Sequence, residues 1–490
     1  MFAKRLAIIA AIFAWFALVL PAAAQTVPVQ GVDAPPVQKK MTTLDAVKAG
    51  KAILGSVLVE RLKTRPEPYK VSGNTTLHVT FAVWNRDSDA IAVVEGDKTG
   101  TRLAITTEPK LPIKVDYSSQ LESQYSLPSE LNSEVVGIIY PVVTKKVISR
   151  KKSSYSATDL VYVPYSSDFY TPQMLAAGSD YLSFMIQGAY DELRAKGIKS
   201  RAFPDKLVAD VVDPYLVKSI AVIEHSDTYS LTKQDDQDRA IGRFLVNLAA
   251  NQEEAFHTSV SSAGAAGLVQ FIPSTYAMMV RSRPDLGLIK DFRAGMADHK
   301  NAVKAQIAYI DSDLADMSVV RALYDTDRAK AAEYLAASYN GGSTRVIRAY
   351  TTFGDDWQKS YKAQLAAANS AQATLKSRII ALQKQVSKGK NVKTATLTIA
   401  KLRSERATAV STVATLNRAS LREETVGYVS KLKHAYAMFA AGYFATPNAP
   451  SGALPVVARS SAMSPTTVAV ALASSSSQIC FGDGTCVVPQ

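Results

Sequence analysis

The residues whose types and spacing can carry chemistry fall into a few separated segments. The first is Ile220-Ala221-Val222-Ile223-Glu224, a single carboxylate closing an apolar run. The second is Gly264-Ala265-Ala266-Gly267-Leu268-Val269-Gln270-Phe271-Ile272-Pro273, which sets two glycines, an amide and a proline close together. The third is Ala337-Ser338-Tyr339-Asn340-Gly341-Gly342, followed much later by Glu424-Thr425-Val426-Gly427-Tyr428-Val429. A carboxyl walled by apolar side chains keeps its proton to a higher pH, because burial penalises the charged form. That is the state a general acid needs near neutral pH. Ile220, Val222, Ile223 and Phe271 are the expected wall around Glu224. Glu253 and Glu254 are rival carboxylates, and Asp227 would supply a second one, although an aspartate in an exposed loop is the plainer reading. The five histidines (His78, His225, His257, His299 and His434) show no metal-ligand spacing, so no metal is expected. His225 is expected to line a cleft or face solvent. Gly264 to Gly267 is too short for a phosphate-binding fingerprint, and no cofactor is expected. Taken alone, Tyr339 reads as a core aromatic, and only its place beside Asn340-Gly341 lifts it above that.

These residues need elements to hold them. Asp213-Pro214 opens a helix in which Leu216, Val217, Ile220 and Ile223 recur at helical spacing, ending near Glu224. The aspartate can cap the first free amides, and proline is well tolerated in a first turn. The texture is helical from about 172 to 445. Before it, Leu77–Val83 partly alternates, and Ile91–Val94 and Val135–Ile139 are strand-like runs between turns. The fold class expected is α+β: a mainly helical domain at 169–355 and 421–445, preceded by a small β-rich domain at 70–168. Residues 25–69 are read as a linker and N-terminal segment.

Residues 356–420 interrupt the helical domain. Within 359–420 twelve lysines and arginines stand against one acid, Glu405, a net charge of +11. Leu375, Ile379, Leu382 and Val386 mark one helical seam, and Ile399, Leu402, Arg406, Ala409, Val413 and Leu416 another. With Ser387-Lys388-Gly389-Lys390-Asn391 as the turn, two antiparallel helices are expected, forming an inserted basic hairpin. A solvated charged face is the bland reading; the scarcity of acids favours contact with an anionic surface.

At this point the chain resembles the lytic murein transglycosylases, which carry a lysozyme-like domain. Their pattern is an apolar helix ending in Glu, a GAxGLMQ-type turn ending in Pro, an AYNAG-type segment and ETxxYV. Here these stand as Glu224, GAAGLVQFIP, SYNGG and ETVGYV, in the same order. SSAGAAGLVQFIPSTY is also similar to the membrane-bound B-type branch. The match covers 213–350 and 421–440. Departures are His225 where the family has Ser, Val269 for Met, Gly341-Gly342 for Ala-Gly, and the long gap from Glu224 to Gly264. Glu253-Glu254-Ala255-Phe256 imitates the family's ESxF run at closer spacing, but its approach is polar, and Glu224 is preferred. The resemblance implies a lysozyme-like fold and cleavage of β-1,4-linked peptidoglycan strands to 1,6-anhydro-muramyl ends. It implies that Glu224 serves as acid and base, that Gln270, Tyr339 and Asn340 hold the strand or orient the glutamate, and that Glu424 braces the site. Gly264 and Gly267 would let backbone approach the sugar closely. A non-catalytic wall-binding module of an envelope-spanning assembly is the alternative.

Composition sets the context. The chain has 490 residues, enough for two or three units, and a net charge of +13, which favours an anionic partner. Lys4 and Arg5, the fifteen-residue apolar run Leu6–Leu20 and Ala22-Ala23-Ala24 read as a signal peptide over 1–24. That run is short of the roughly 20 residues of a membrane span. A soluble periplasmic protein is expected, with glycan strands and not nucleic acid as partner. Residues 446–490 read as a low-complexity tail in which Cys480 and Cys486 close a small disulfide loop.

Overall fold

The computed structural model describes residues 40–65, 67–72, 76–149, 152–226, 234–443, 479–480 and 486–487. The proposed signal peptide, most of the tail and Asp227 lie outside them. Helix α1 (Thr43–Thr64), within the segment read as linker, starts on a capping box in which Thr42 and Asp45 satisfy each other's backbone amides. Its inner face, Ala46, Val47, Gly50 and Leu54, is buried. The approach to the sheet is close: a Cβ on Gly50 would stand 2.8 Å from Val136, and one on Gly137 2.8 Å from Leu54. Arg61 anchors the far end, donating to Asp159, Thr80 and Glu95.

The sheet beneath α1 is built from β1 (Tyr69–Val71), β2 (Leu77–Asn85), β3 (Ile91–Thr99), β7 (Ser133–Ser149) and β8 (Lys152–Tyr162), with β4 (Arg102–Ile105) pairing β3. The order is β1-β8-β7-β2-β3, all neighbours antiparallel. Alternation along β2 explains the two layers. Ala82 and Trp84 face the core shared with α1, whereas Val79, Phe81 and Val83 face a second core. That second core is closed by Leu121 and by β5 (Lys114–Tyr117) paired with β6 (Gln124–Ser126). Beyond β3 lie two-residue strands β9 (Ile479–Cys480) and β10 (Cys486–Val487), whose register sets Cys480 opposite Cys486. The cysteine side chains lie outside the described residues.

The sheet and the helices share a core rather than meeting at a linker. Phe169, Met174, Val246, Ala249 and Ala250 pack into the core under α1. Asn251 also gives and accepts one hydrogen bond each with the backbone of Val163. The helices involved are α2 (Pro172–Ala195) and, after α3 (Val208–Val211) and α4 (Pro214–Glu224), α5 (Gln234–Asn251). Gly178 lets α2 and α5 touch: a Cβ there would lie 1.9 Å from the Leu245 carbonyl oxygen.

The rest of the helical part is α6 (Pro273–Ser282), α7 (Phe292–Ala297), α8 (His299–Asp316), α9 (Ser318–Leu323), α10 (Arg328–Gly341), α11 (Ser343–Phe353), α12 (Lys362–Ser387), α13 (Val392–Ala419) and α14 (Glu423–Ala440). Helix α8 is buried almost along its whole length and forms the centre of the main core. Helix α14 packs against both α4 and α10, which brings three sequence-distant helices together. The hairpin α12–α13 has a small core of its own in Ile379, Ile399 and Leu402, edged by Leu375, Leu382 and Val386, as the seam predicts. The molecule is thus α+β. Among the described residues no helix is long and apolar enough to cross a membrane.

Candidate functional site

Helix α4 carries Glu224 in its last turn. Asp213 caps the helix by accepting from the Tyr215 amide, Pro214 takes the first turn, and Leu216 to Ile223 are buried throughout. Glu224 is half-buried at the end of that apolar helix. Burial pushes its carboxyl up to about 7, and the nearby Glu424 charge adds to the rise. The Tyr428 hydroxyl, donating to Glu224 Oε1 at 2.7 Å, and the Lys431 ammonium partly oppose it. At neutral pH a large fraction of the side chain is therefore protonated.

The glycine turn is set beside it. Gly264 (φ +80°), Gly267 (φ +73°) and Gln270 (φ +48°) all take left-handed backbone. At Gly267 a Cβ would lie 2.4 Å from the Met296 carbonyl oxygen, so only glycine fits there without movement. Its carbonyl oxygen accepts from the Gln270 amide, from Gln270 Nε2 at 2.9 Å and from His225 Nε2 at 3.1 Å. His225, expected to line a cleft or face solvent, is half-buried, and its ring is tied to its neighbours. It stacks on Phe256 with centroids 3.9 Å apart and bonds the carbonyls of Gly267 and Leu268. Both partners are acceptors, so Nε2 carries the proton. Burial draws the imidazole down to about 4, which keeps it neutral. The residue after Glu224 thus ties the helix end to the turn.

The remaining predicted residues complete the enclosure. Tyr339 donates its hydroxyl to the Val269 carbonyl at 2.7 Å and stacks on Phe271, and burial with the nearby Glu224 charge pushes its hydroxyl far up. Asn340 Oδ1 accepts from Thr425 Oγ1 at 2.7 Å. All four sequence segments are thereby joined by side-chain hydrogen bonds. Two expected roles differ in detail. The Gln270 amide nitrogen and the Tyr339 hydroxyl are engaged in holding the turn. Bracing by α14 comes from Thr425 and Tyr428, while Glu424 is exposed and acts on Glu224 through its charge.

The rival Glu254 is set up differently. His257, 3.1 Å away, and Lys51 hold its carboxyl below the usual range, so it stays ionised, and Glu253 is exposed. Residue-by-residue reading missed Tyr428, Lys431 and Asp313. Glu424, Tyr428 and Lys431 follow i, i+4, i+7 spacing, a signal that places them on one helical face. Asp313 on α8 accepts from Ser338 behind Tyr339, and burial pushes it up to about 7. Two cavities, of about 340 and 150 Å³, lie along α11. Neither is lined by Glu224, Gln270, Tyr339, Asn340 or Glu424, so the site is assigned on its chemistry and not on cavity size.

Folded Glu224 keeps its proton up to about 7, against 4.5 when exposed. In that window the folded state holds more protons than the unfolded chain. Its stabilising share is full below 4.5 and is lost as pH rises through 7. Glu224→Gln should therefore melt above the wild type at pH 8, by about 1–3 kcal/mol of unfolding free energy, and with it at pH 4. Calorimetry at the two pH values checks this; coincident melting at pH 8 would contradict the buried charge. Tyr428→Phe removes a donor that favours the carboxylate, so the Glu224 titration should move up by about one pH unit. Carbon-13 NMR of the labelled carboxyl reads the shift, and a downward or absent one counts against the bond.

Comparison with protein-family models, with curated proteins and with solved structures found no match to this chain.

Proposed function

We propose that this protein is an exported lytic transglycosylase of peptidoglycan, with a lysozyme-like helical domain and Glu224 as its single acid/base. The observation that carries the reading is the environment of Glu224: a carboxyl raised to about 7 by burial, held by Tyr428, and enclosed by the same four segments that match the family's motifs. Protonated Glu224 gives its proton to the oxygen of the β-1,4 bond between N-acetylmuramic acid and N-acetylglucosamine. The muramyl N-acetyl group assists its departure. The resulting Glu224 carboxylate then takes the proton from the muramyl C6 hydroxyl, whose oxygen closes onto C1. No water enters, and the glutamate ends protonated as it began. Gln270 and Tyr339 position the strand through the turn they stabilise, Asn340 does so from the segment it ties to Thr425, and Gly264 and Gly267 let backbone approach the sugar.

The experiment is release of soluble glycan from dye-labelled sacculi by the mature chain, with and without chelator. Release that survives chelation is expected. Binding to sacculi with no release would instead support the wall-binding module.

A further inference from the structure

We propose that the hairpin α12–α13 docks on the surface of an acidic phospholipid bilayer. From 357 to 404 the chain has ten lysines and arginines and no acidic residue. The positive side chains of the distal half, Lys376, Arg378, Lys384, Lys388, Lys390 and Lys393, are all exposed. The lone acid, Glu405, lies 4.0 Å from Lys401 on the way back to the body. The hairpin holds itself together by its own seam, and its contacts with the body are at its base, where α13 meets α11 and Arg345 donates to the Ser420 carbonyl. A helix of 28 residues reaches about 40 Å, so the lysine-rich turn is carried well away from α11.

Charge alone would suit any polyanion. The exposed apolar residues choose among them. Ile380 is 55% exposed, Val392 46% and Leu397 67%, interleaved with the lysines around the turn. A hydrated acidic polymer gains nothing from such side chains. A bilayer takes both kinds: headgroups attract the cations and the acyl boundary accepts the apolar groups. No spanning segment is needed for this mode of attachment.

The inference does not rest on the transglycosylase reading. The full mature chain is sedimented with vesicles of phosphatidylcholine, with and without phosphatidylglycerol. Binding is expected only with phosphatidylglycerol, weakening as salt rises. Changing Lys384, Lys388, Lys390 and Lys393 together to Gln should lower partitioning on the order of 10²–10³-fold, at roughly fivefold per cation. Ile380→Ser with Leu397→Ser should lower it by about tenfold while leaving the salt dependence unchanged. Glu224→Gln should bind like the wild type. Equal binding to neutral vesicles, an unaffected lysine variant or an unaffected serine variant each overturns the proposal. So does salt-sensitive binding to sacculi with none to acidic vesicles, which would assign the hairpin to the wall polymer.

Discussion

Glu224→Gln is expected to lower glycan release from sacculi by about 10²–10⁴-fold or more while the protein remains folded. The amide keeps the size of the carboxyl and can still meet the Tyr428 hydroxyl 2.7 Å away, so packing around α4 has no reason to change. What disappears is the proton, and in the proposed reaction one group both delivers and recovers it. Loss at two steps places the effect toward the upper end of that range. Glu253→Gln and Glu254→Gln should stay within a few-fold of the wild type, because Glu253 is exposed and Glu254 is held ionised by His257. Circular dichroism on each variant separates lost chemistry from lost structure. A folded Glu224→Gln protein with near-normal release would move the acid elsewhere.

The second large effect belongs to Gly267→Ala. The position has φ +73°, and a Cβ would meet the Met296 carbonyl oxygen at 2.4 Å. Backbone strain and the collision together should cost about 2–4 kcal/mol. The same shift would displace the carbonyl that accepts from His225 and Gln270, and with it the Val269 carbonyl that holds Tyr339. Stability and glycan release should therefore fall together. Gly264→Ala is the control. Its φ is equally left-handed, but the nearest atom to a Cβ is Pro273 Cδ at 3.9 Å, so only about 1 kcal/mol of backbone strain applies. Thermal melts of the two variants decide the matter; equal destabilisation would show that contact with Met296 is not what fixes the turn.

The parts of the site legible in the sequence were those with a local signature. Helix α4 announced itself through Asp213-Pro214 and its apolar spacing, and the hairpin through two seams around a glycine turn. The sheet core at β2, β3 and β7 followed from β-branched runs. What sequence could not supply was long-range partnership. His225 reads as cleft-lining or solvent-facing because nothing local says that Phe256 and the Gly267 carbonyl will hold its ring. Tyr428 stood within a matched motif, yet its bond to a residue 204 positions earlier exists only once α14 packs on α4. Helix α1 was hidden for a different reason. Its segment follows a Pro- and Val-rich stretch, and its buried stripe of Ala46, Val47, Gly50 and Leu54 is small-residue and weakly apolar. The boundary near 168 dissolved because sheet and helices bury Phe169 and Met174 in common.

Mass spectrometry of the soluble fragments released from purified sacculi in oxygen-18 water tests the proposed reaction at Glu224 most directly. Fragments ending in 1,6-anhydro-muramic acid are expected, lighter by one water than hydrolysis products and free of the heavy isotope, and none are expected with Glu224→Gln. Reducing ends carrying oxygen-18 would contradict that reaction, because water and not the C6 hydroxyl would then be the nucleophile.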